Sequence, residues 1–207
     1  MGGSCKSWRI SKAHKDGVNQ EGSIFMVDKK KLKQKDKKLE SKELFQINSD
    51  NLKREATNLA KFKHPSILQI LEPVFEDNNC IAFVTEPVEK SLADIIDNKR
   101  DEEIRCDEVE LKLHLLELIE GLIFLNETTK TVHLNLCPDN IFITTSGNWK
   151  IGGFGFMIQQ QQGDITSDNI TLSRAVIENT INPSIQYCGP EFFDPEAKFT
   201  IKSDMVS

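Results

Sequence analysis

The stretch from His133 to Gly155, HLNLCPDNIFITTSGNWKIGGFG, constrains the fold more than any other part of the chain. Ile141-Phe142-Ile143-Thr144 and Trp149-Lys150-Ile151 are short β-prone runs, and Ser146-Gly147-Asn148 between them is a turn. Together they read as a hairpin. One polar loop leads into it, from His133 to Asn140, and a glycine-rich loop leads out, ending Gly153-Phe154-Gly155. The hairpin holds these two loops at a fixed separation. Such a hairpin is common in itself, so its meaning rests on the residues in the loops.

Bulk properties narrow the class. The chain has 207 residues, 38% of them hydrophobic and 28% charged, an ordinary composition for a soluble globular domain. A net charge of −6 argues against nucleic acid as a partner. Cysteines 5, 80, 106, 137 and 188 are widely spaced and form no C-x-x-C, so they read as reduced cytosolic thiols. Histidines 14, 64, 114 and 133 are scattered, and no metal site is expected. No apolar run approaches the ~18 residues that span a bilayer, and no secretory core follows Met1. Lys6 stands where a myristoylation signal needs Ser or Thr.

Along the chain, Trp8-Arg9-Ile10 and Ser23 to Val27 read as strands around a turn at His14–Asn19, with Ser23, Phe25 and Val27 on one face and Ile24 and Met26 on the other. Lys29 to Lys38 holds seven lysines in ten positions, a self-repelling, solvated run. Asp50 and Asn51 are N-cap candidates for a helix with the stripe Leu52, Ala56, Leu59 and Phe62, ending at His64-Pro65. Ile67–Val74 and Cys80–Thr85 read as strands, and Ser91–Ile96 as a short helix. Val109 to Leu125 carries the strongest stripe, Leu111, Leu115, Leu118, Leu122 and Leu125, widened by Leu116, Ile119 and Ile123, and reads as a helix buried over much of its surface. A polar stretch containing Gln159 to Gln162 then runs to Gly189-Pro190-Glu191, and Ser203-Asp204-Met205 closes the chain.

In this order the motifs resemble those of a protein kinase. His133, Leu136, Pro138 and Asn140 match the catalytic-loop pattern H-R-D-L-x-x-x-N, and Phe154-Gly155 match the end of D-F-G. The charged members differ. Leu134 stands for the Arg, Asn135 for the catalytic Asp, Gly153 for the magnesium-binding Asp and Phe25 for the phosphate-pairing Lys of V-A-I-K. Glu55 falls where a Glu pairs that Lys, and is left without it. Gly2-Gly3-Ser4-Cys5 reads either as a remnant of the glycine-rich loop or as a chain end. With Trp8-Arg9-Ile10, SIFMVDKK (23–30), the hinge AFVTEPV (82–88) and HLNLCPDN (133–140), the chain resembles the SCY-like pseudokinases, closest to the coated-vesicle-associated branch.

That resemblance implies an α+β, bilobal kinase-like fold, truncated at both ends, lacking the first strand and everything from the αF helix onward. Residues 1–86 would form a partial N-lobe and 87–207 a partial C-lobe. Phosphoryl transfer needs positive charge on the phosphates, an acid on the metal and a base. Phe25, Gly153 and Asn135 supply none of these, and no intact catalytic residue is expected. Asn140 and Glu55 are the residual nucleotide-site residues, with no cofactor expected. The implied role is a scaffold for coat or adaptor proteins in clathrin- or coat-dependent traffic, in the cytoplasm or on vesicle, Golgi or endosomal membranes. Lys29, Lys30, Lys31, Lys33, Lys35, Lys37 and Lys38 would contact anionic lipid. The alternative is an atypical serine/threonine kinase using Lys29 or Lys30 with Asn140. Without Arg at 134, a phosphate on Thr166 or Ser167 would have no reader. Expressed alone, a chain ending at the start of αF is expected to aggregate or bind a hydrophobic dye.

Overall fold

A computed structural model describes residues 8–30, 42–97, 107–159, 183–193 and 199–205. The strands β1 (Arg9–Lys15) and β2 (Gln20–Asp28) form a hairpin, followed by helix α1 (Lys42–Leu59) and the strands β3 (Ile70–Glu76) and β4 (Cys80–Thr85). These four strands make one antiparallel sheet in the order β1-β2-β4-β3. Ser23, Phe25 and Val27 face inward from β2 and are buried, while Ile24 and Met26 on the other face are half-buried, as the alternation implies. Helix α1 packs through Leu52, Ala56 and Leu59. It begins about two turns earlier than its polar residues suggest. Asp50, read as a cap, lies inside it and accepts from Gln46 and Lys53 on neighbouring turns.

After Glu86-Pro87 the chain enters a second body. It comprises β5 (Val88–Ser91), the short helix α2 (Leu92–Asp97), helix α3 (Glu108–Ile123), β6 (Thr131–Val132), β7 (Ile141–Thr144), β8 (Trp149–Ile151) and β9 (Ile158–Gln159). The expected hairpin is β7–β8, with Ile141 opposite Ile151 and Ile143 opposite Trp149. Its turn uses Gly147 at φ 85°, which glycine adopts without strain. Strand β5 completes a three-stranded sheet, β5-β7-β8, and β6 pairs β9. Ile67 bridges Ile151 in parallel, and Leu68 donates to the Ile151 carbonyl, so the two bodies share backbone hydrogen bonds. They also share one apolar core, running from Trp8 and Phe25 to Phe142 and Phe154. The two-lobed α+β arrangement is the expected kinase-like one.

Helix α3 begins with a capping box. Asp107 accepts from Val109, and Glu110 accepts from the Asp107 amide. It differs from its sequence reading on the outside. Leu118 and Leu122 on the helix, and Leu125 in the π-helical turn that follows, are buried as expected. Leu111 and Leu115 are exposed, as are Val109, Leu113, Leu116, Ile119 and Ile123. One face packs on β8, where Gly121 lies so near Ser66 and Ile151 that an added Cβ would sit 3.0 Å and 3.1 Å from their side chains. The stripe's width reported apolar surface, not which part of it is covered.

This division makes a prediction. Leu125→Ala should destabilise the fold by about 2–5 kcal/mol, because Leu125 is fully buried. Leu113→Gln, on the open face, should change stability by no more than about 0.5 kcal/mol. Urea denaturation of the two variants checks the pair. A large loss at Leu113 would show that the open face is packed in solution.

Candidate functional site

The loops around the β7–β8 hairpin meet beneath the four-stranded sheet. His133 is fully buried. Its ring Nε2 lies 2.9 Å from the Gly152 carbonyl, and the Asn135 amide donates to its Nδ1 at 3.2 Å. This pair of contacts assigns the proton to Nε2 and leaves the imidazole neutral. Burial pushes the His133 pKa below 6.5, in the same sense. Asp204 anchors the loop from the other side. Its Oδ2 accepts from the His133 amide and its Oδ1 from the Leu134 amide, both at 2.8 Å. Burial raises the Asp204 pKa, and the two amide donors oppose that rise. The bidentate contact holds Leu134 at φ 60°, a conformation costly for a branched residue and stable only when its surroundings impose it.

Leu134 itself is buried among Val132, Phe156, Phe192 and Phe199. The position expected to carry a phosphate-reading cation is thus part of an apolar cluster. Thr166 and Ser167 lie outside the described residues.

Asn135, Asn140 and Gly153 come together in the structure. Asn135 Nδ2 donates to the Gly153 carbonyl at 3.1 Å, and Asn140 Nδ2 donates to the Asn135 carbonyl at 2.7 Å and to Cys137 Sγ at 3.3 Å. The Oδ1 atoms of both side chains are buried and accept nothing from the described residues. Gly153 sits at φ 78°, ψ 35°, and a Cβ there would fall 2.3 Å from Asn140 Cγ. The amide of Asn140 therefore occupies the space an acidic side chain at 153 would enter.

The phosphate side of the cleft is aromatic. Phe25 is 1% exposed. It stacks on Phe83 at 4.9 Å and meets Phe142 of β7 edge-on at 5.3 Å. Trp8 closes the group, 4.9 Å from Phe83 and 6.5 Å from Phe25. Glu55, read as a carboxylate left without its lysine, does not face water. It is buried, and Trp8 Nε1 donates to its Oε2 at 2.9 Å. Sequence reasoning missed this contact because the two residues are 47 positions apart and an indole is not a usual carboxylate partner.

Lys29 is held away from this cleft. Its Nζ bonds Glu76 at 2.7 Å and the Asp77 carbonyl at 2.5 Å, and Lys53 bonds the same Glu76 at 3.3 Å. That removes it as a stand-in for the phosphate lysine. Lys30 is placed through its amide, which donates to Asp28. Gly2 to Cys5 and Lys31 to Lys38 lie outside the described residues. A recess of about 210 Å³ exists elsewhere, on the outer face of the sheet, over Gly22, Leu71 and Val84 and rimmed by the Lys15–Glu72 ion pair.

A nucleotide–magnesium group does not fit these residues. Magnesium takes oxygen ligands in near-octahedral geometry and is usually held by at least one carboxylate; the loops offer only the Oδ1 atoms of two neutral amides, and Gly153 stands where the acid would be. The triphosphate would meet Phe25 in place of a cation. Among the described residues, no group of three or more His, Cys, Asp or Glu is placed to hold a metal ion.

The protein kinase domain model matches residues 13–207. Human SCY1-like protein 2 is 32% identical over 215 aligned residues, covering 100% of this chain and 22% of the human protein. The Saccharomyces cerevisiae protein kinase-like protein SCY1 is 35% identical, covering 70% of this chain and 20% of its own length. The Dictyostelium discoideum probable inactive serine/threonine-protein kinase scy1 is 30% identical, covering 72% and 16%. The chain spans about a fifth of the length of these curated relatives.

Two predictions follow from the loop geometry. Gly153→Asp should destabilise by at least about 1–3 kcal/mol from its left-handed backbone alone, before the overlap with Asn140 is relieved. Asn135→Asp loses its donation to the Gly153 carbonyl, since a carboxylate has no N–H. Neither change should bring phosphate transfer to a generic protein substrate above background; transfer by either single variant would contradict this geometry. The second prediction concerns protonation. A histidine whose folded pKa lies below its unfolded value of 6.5 contributes stability that is present above 6.5 and lost as pH falls through the folded value. The His133 ring should keep its neutral Nε2–H nitrogen signals in NMR as pH is lowered through 6.5.

Proposed function

The chain belongs to the protein kinase domain family, and from that premise we propose that it is a non-catalytic SCY-like member serving as a scaffold or binding module in coat-dependent vesicle traffic. The observation that carries the non-catalytic half is the Phe25 ring, buried in an aromatic stack at the position the resemblance gives to the phosphate lysine. Every other departure is consistent with it. Gly153 has no room for an acid, Asn135 is a hydrogen-bond donor to the loop and not a base, and Glu55 is engaged by an indole. A base contributes about 10²–10⁴-fold to such a reaction, and the phosphate and metal contacts are replaced as well. The similarity to a relative named as a probable inactive kinase supports this half.

The traffic half rests on the SCY-like resemblance. On that reading the domain would work in the cytoplasm, with coat or adaptor proteins, clathrin assemblies among them, as partners. The lysine run 29–38 supplies a cationic segment on a chain of net charge −6. It would add an electrostatic contact to anionic vesicle, Golgi or endosomal membranes of about 1 kcal/mol per lysine near the surface. Lys29 is already paired with Glu76, so Lys30, Lys31, Lys33, Lys35, Lys37 and Lys38 carry that role.

Each half has its own test. ATP at about 1 mM with magnesium should leave the melting temperature unchanged, because a ligand that binds the native state stabilises it by RT ln(1 + [L]/Kd). A magnesium-dependent rise would overturn the non-catalytic reading. Changing Lys31, Lys33, Lys35 and Lys37 to Gln should weaken co-sedimentation with phosphatidylserine vesicles, and raising salt should do the same to the parent protein. Salt-independent or unchanged binding would remove the membrane contact from the account.

A further inference from the structure

Trp8 opens the Trp8-Arg9-Ile10 run, to which the motif reading gives no role. It is buried, yet the β1–β2 ladder begins one residue later, at Arg9 opposite Met26. The residue is therefore held by its side chain. Its indole lies edge-on to Phe83 and Phe25, and its N–H donates to Glu55 of α1 at 2.9 Å. Glu55 in turn flanks the glycine loop, where a Cβ on Gly155 would sit 3.7 Å from Glu55 Cβ. Asn58, one turn further along α1, donates to the Phe154 carbonyl of the same loop at 3.0 Å.

We propose that the Trp8 indole is an internal ligand of the cleft, a displaceable plug whose N–H latches α1 onto the glycine loop, and that the space it fills is a binding site for a planar heteroaromatic carrying an N–H donor. Three features support this. A buried carboxylate needs donors to offset its desolvation, so Glu55 selects an occupant with an N–H over an apolar ring of the same outline. The walls, Phe25 and Phe83, are aromatic faces that accept a flat ring whatever its source. Because Trp8 lies outside the ladder, it can leave without breaking a β1–β2 pair. The inference rests on the filled-cleft reading above and adds an occupant to it. The cleft is closed by a side chain that the chain can withdraw, and withdrawal frees α1.

The test uses the whole chain carrying Trp8→Ala, with indole as the probe and 1-methylindole, which has the same ring system without the N–H, as the control. Trp8→Ala should lower the melting temperature. Indole at low millimolar concentration should recover part of that loss, 1-methylindole should recover less, and neither should move the parent protein. If indole gives no recovery, or both compounds act equally, the latch is wrong. If Trp8→Ala does not fold, Trp8→Phe keeps most of the ring and removes the donor. Amide exchange at residues 51–59 should then rise about tenfold, the loss of one buried hydrogen bond, while the β7–β8 hairpin is unchanged. Exchange equal to the parent's would likewise overturn the proposal. An ATP–magnesium shift in the parent would sink the filled-cleft reading itself, whereas failure of indole rescue sinks the latch alone.

Discussion

The edge-on contact between Phe25 and Phe142, 5.3 Å between ring centres, is the interaction on which the rest of the structure depends. Phe25 belongs to the four-stranded sheet and Phe142 to the hairpin below it, so this contact joins the two lobes within their shared core. Phe83 extends it on one side, and Trp8 seals it. A cation at position 25 would have to enter this group without water, which is costly unless a carboxylate such as Glu55 pairs it. The same ring that joins the lobes stands at the position the resemblance gives to the phosphate lysine.

The loops beneath have made the corresponding change. A catalytic loop presents charge to a ligand, whereas this one turns its polar groups inward. Asn135 donates to Gly153 and Asn140 to Asn135, and the neutral His133 donates to Gly152. Amides can do this without a counterion, which a carboxylate at either place could not. Asp204 supports the loop, and its two oxygens serve the backbone of His133 and Leu134.

Much of this was legible in the sequence, and what was not has identifiable causes. The β7–β8 hairpin and the alternation of β2 were readable because turn chemistry and a period of two are local signals. The convergence of Asn135, Asn140 and Gly153 was readable because the loops keep fixed distances from the hairpin. The start of α1 was not, since Asp50 bonds residues on its own helix and so looks like a cap. The coverage of α3 was not, because leucines at 111, 113, 115 and 116 report an apolar surface without reporting its neighbour. The Trp8–Glu55 bond joins residues 47 apart and has no pattern in the sequence.

The central claim is that the two lobes are joined through aromatic rings where a kinase would hold phosphate. A double-mutant cycle on Phe25→Ala and Phe142→Ala, read by denaturant unfolding, tests it most directly. The account predicts a coupling of about 0.5–1.5 kcal/mol, as edge-to-face pairs give beyond their buried area. Additive losses within about 0.3 kcal/mol would mean the rings do not meet in solution, and the cleft would not be filled as described.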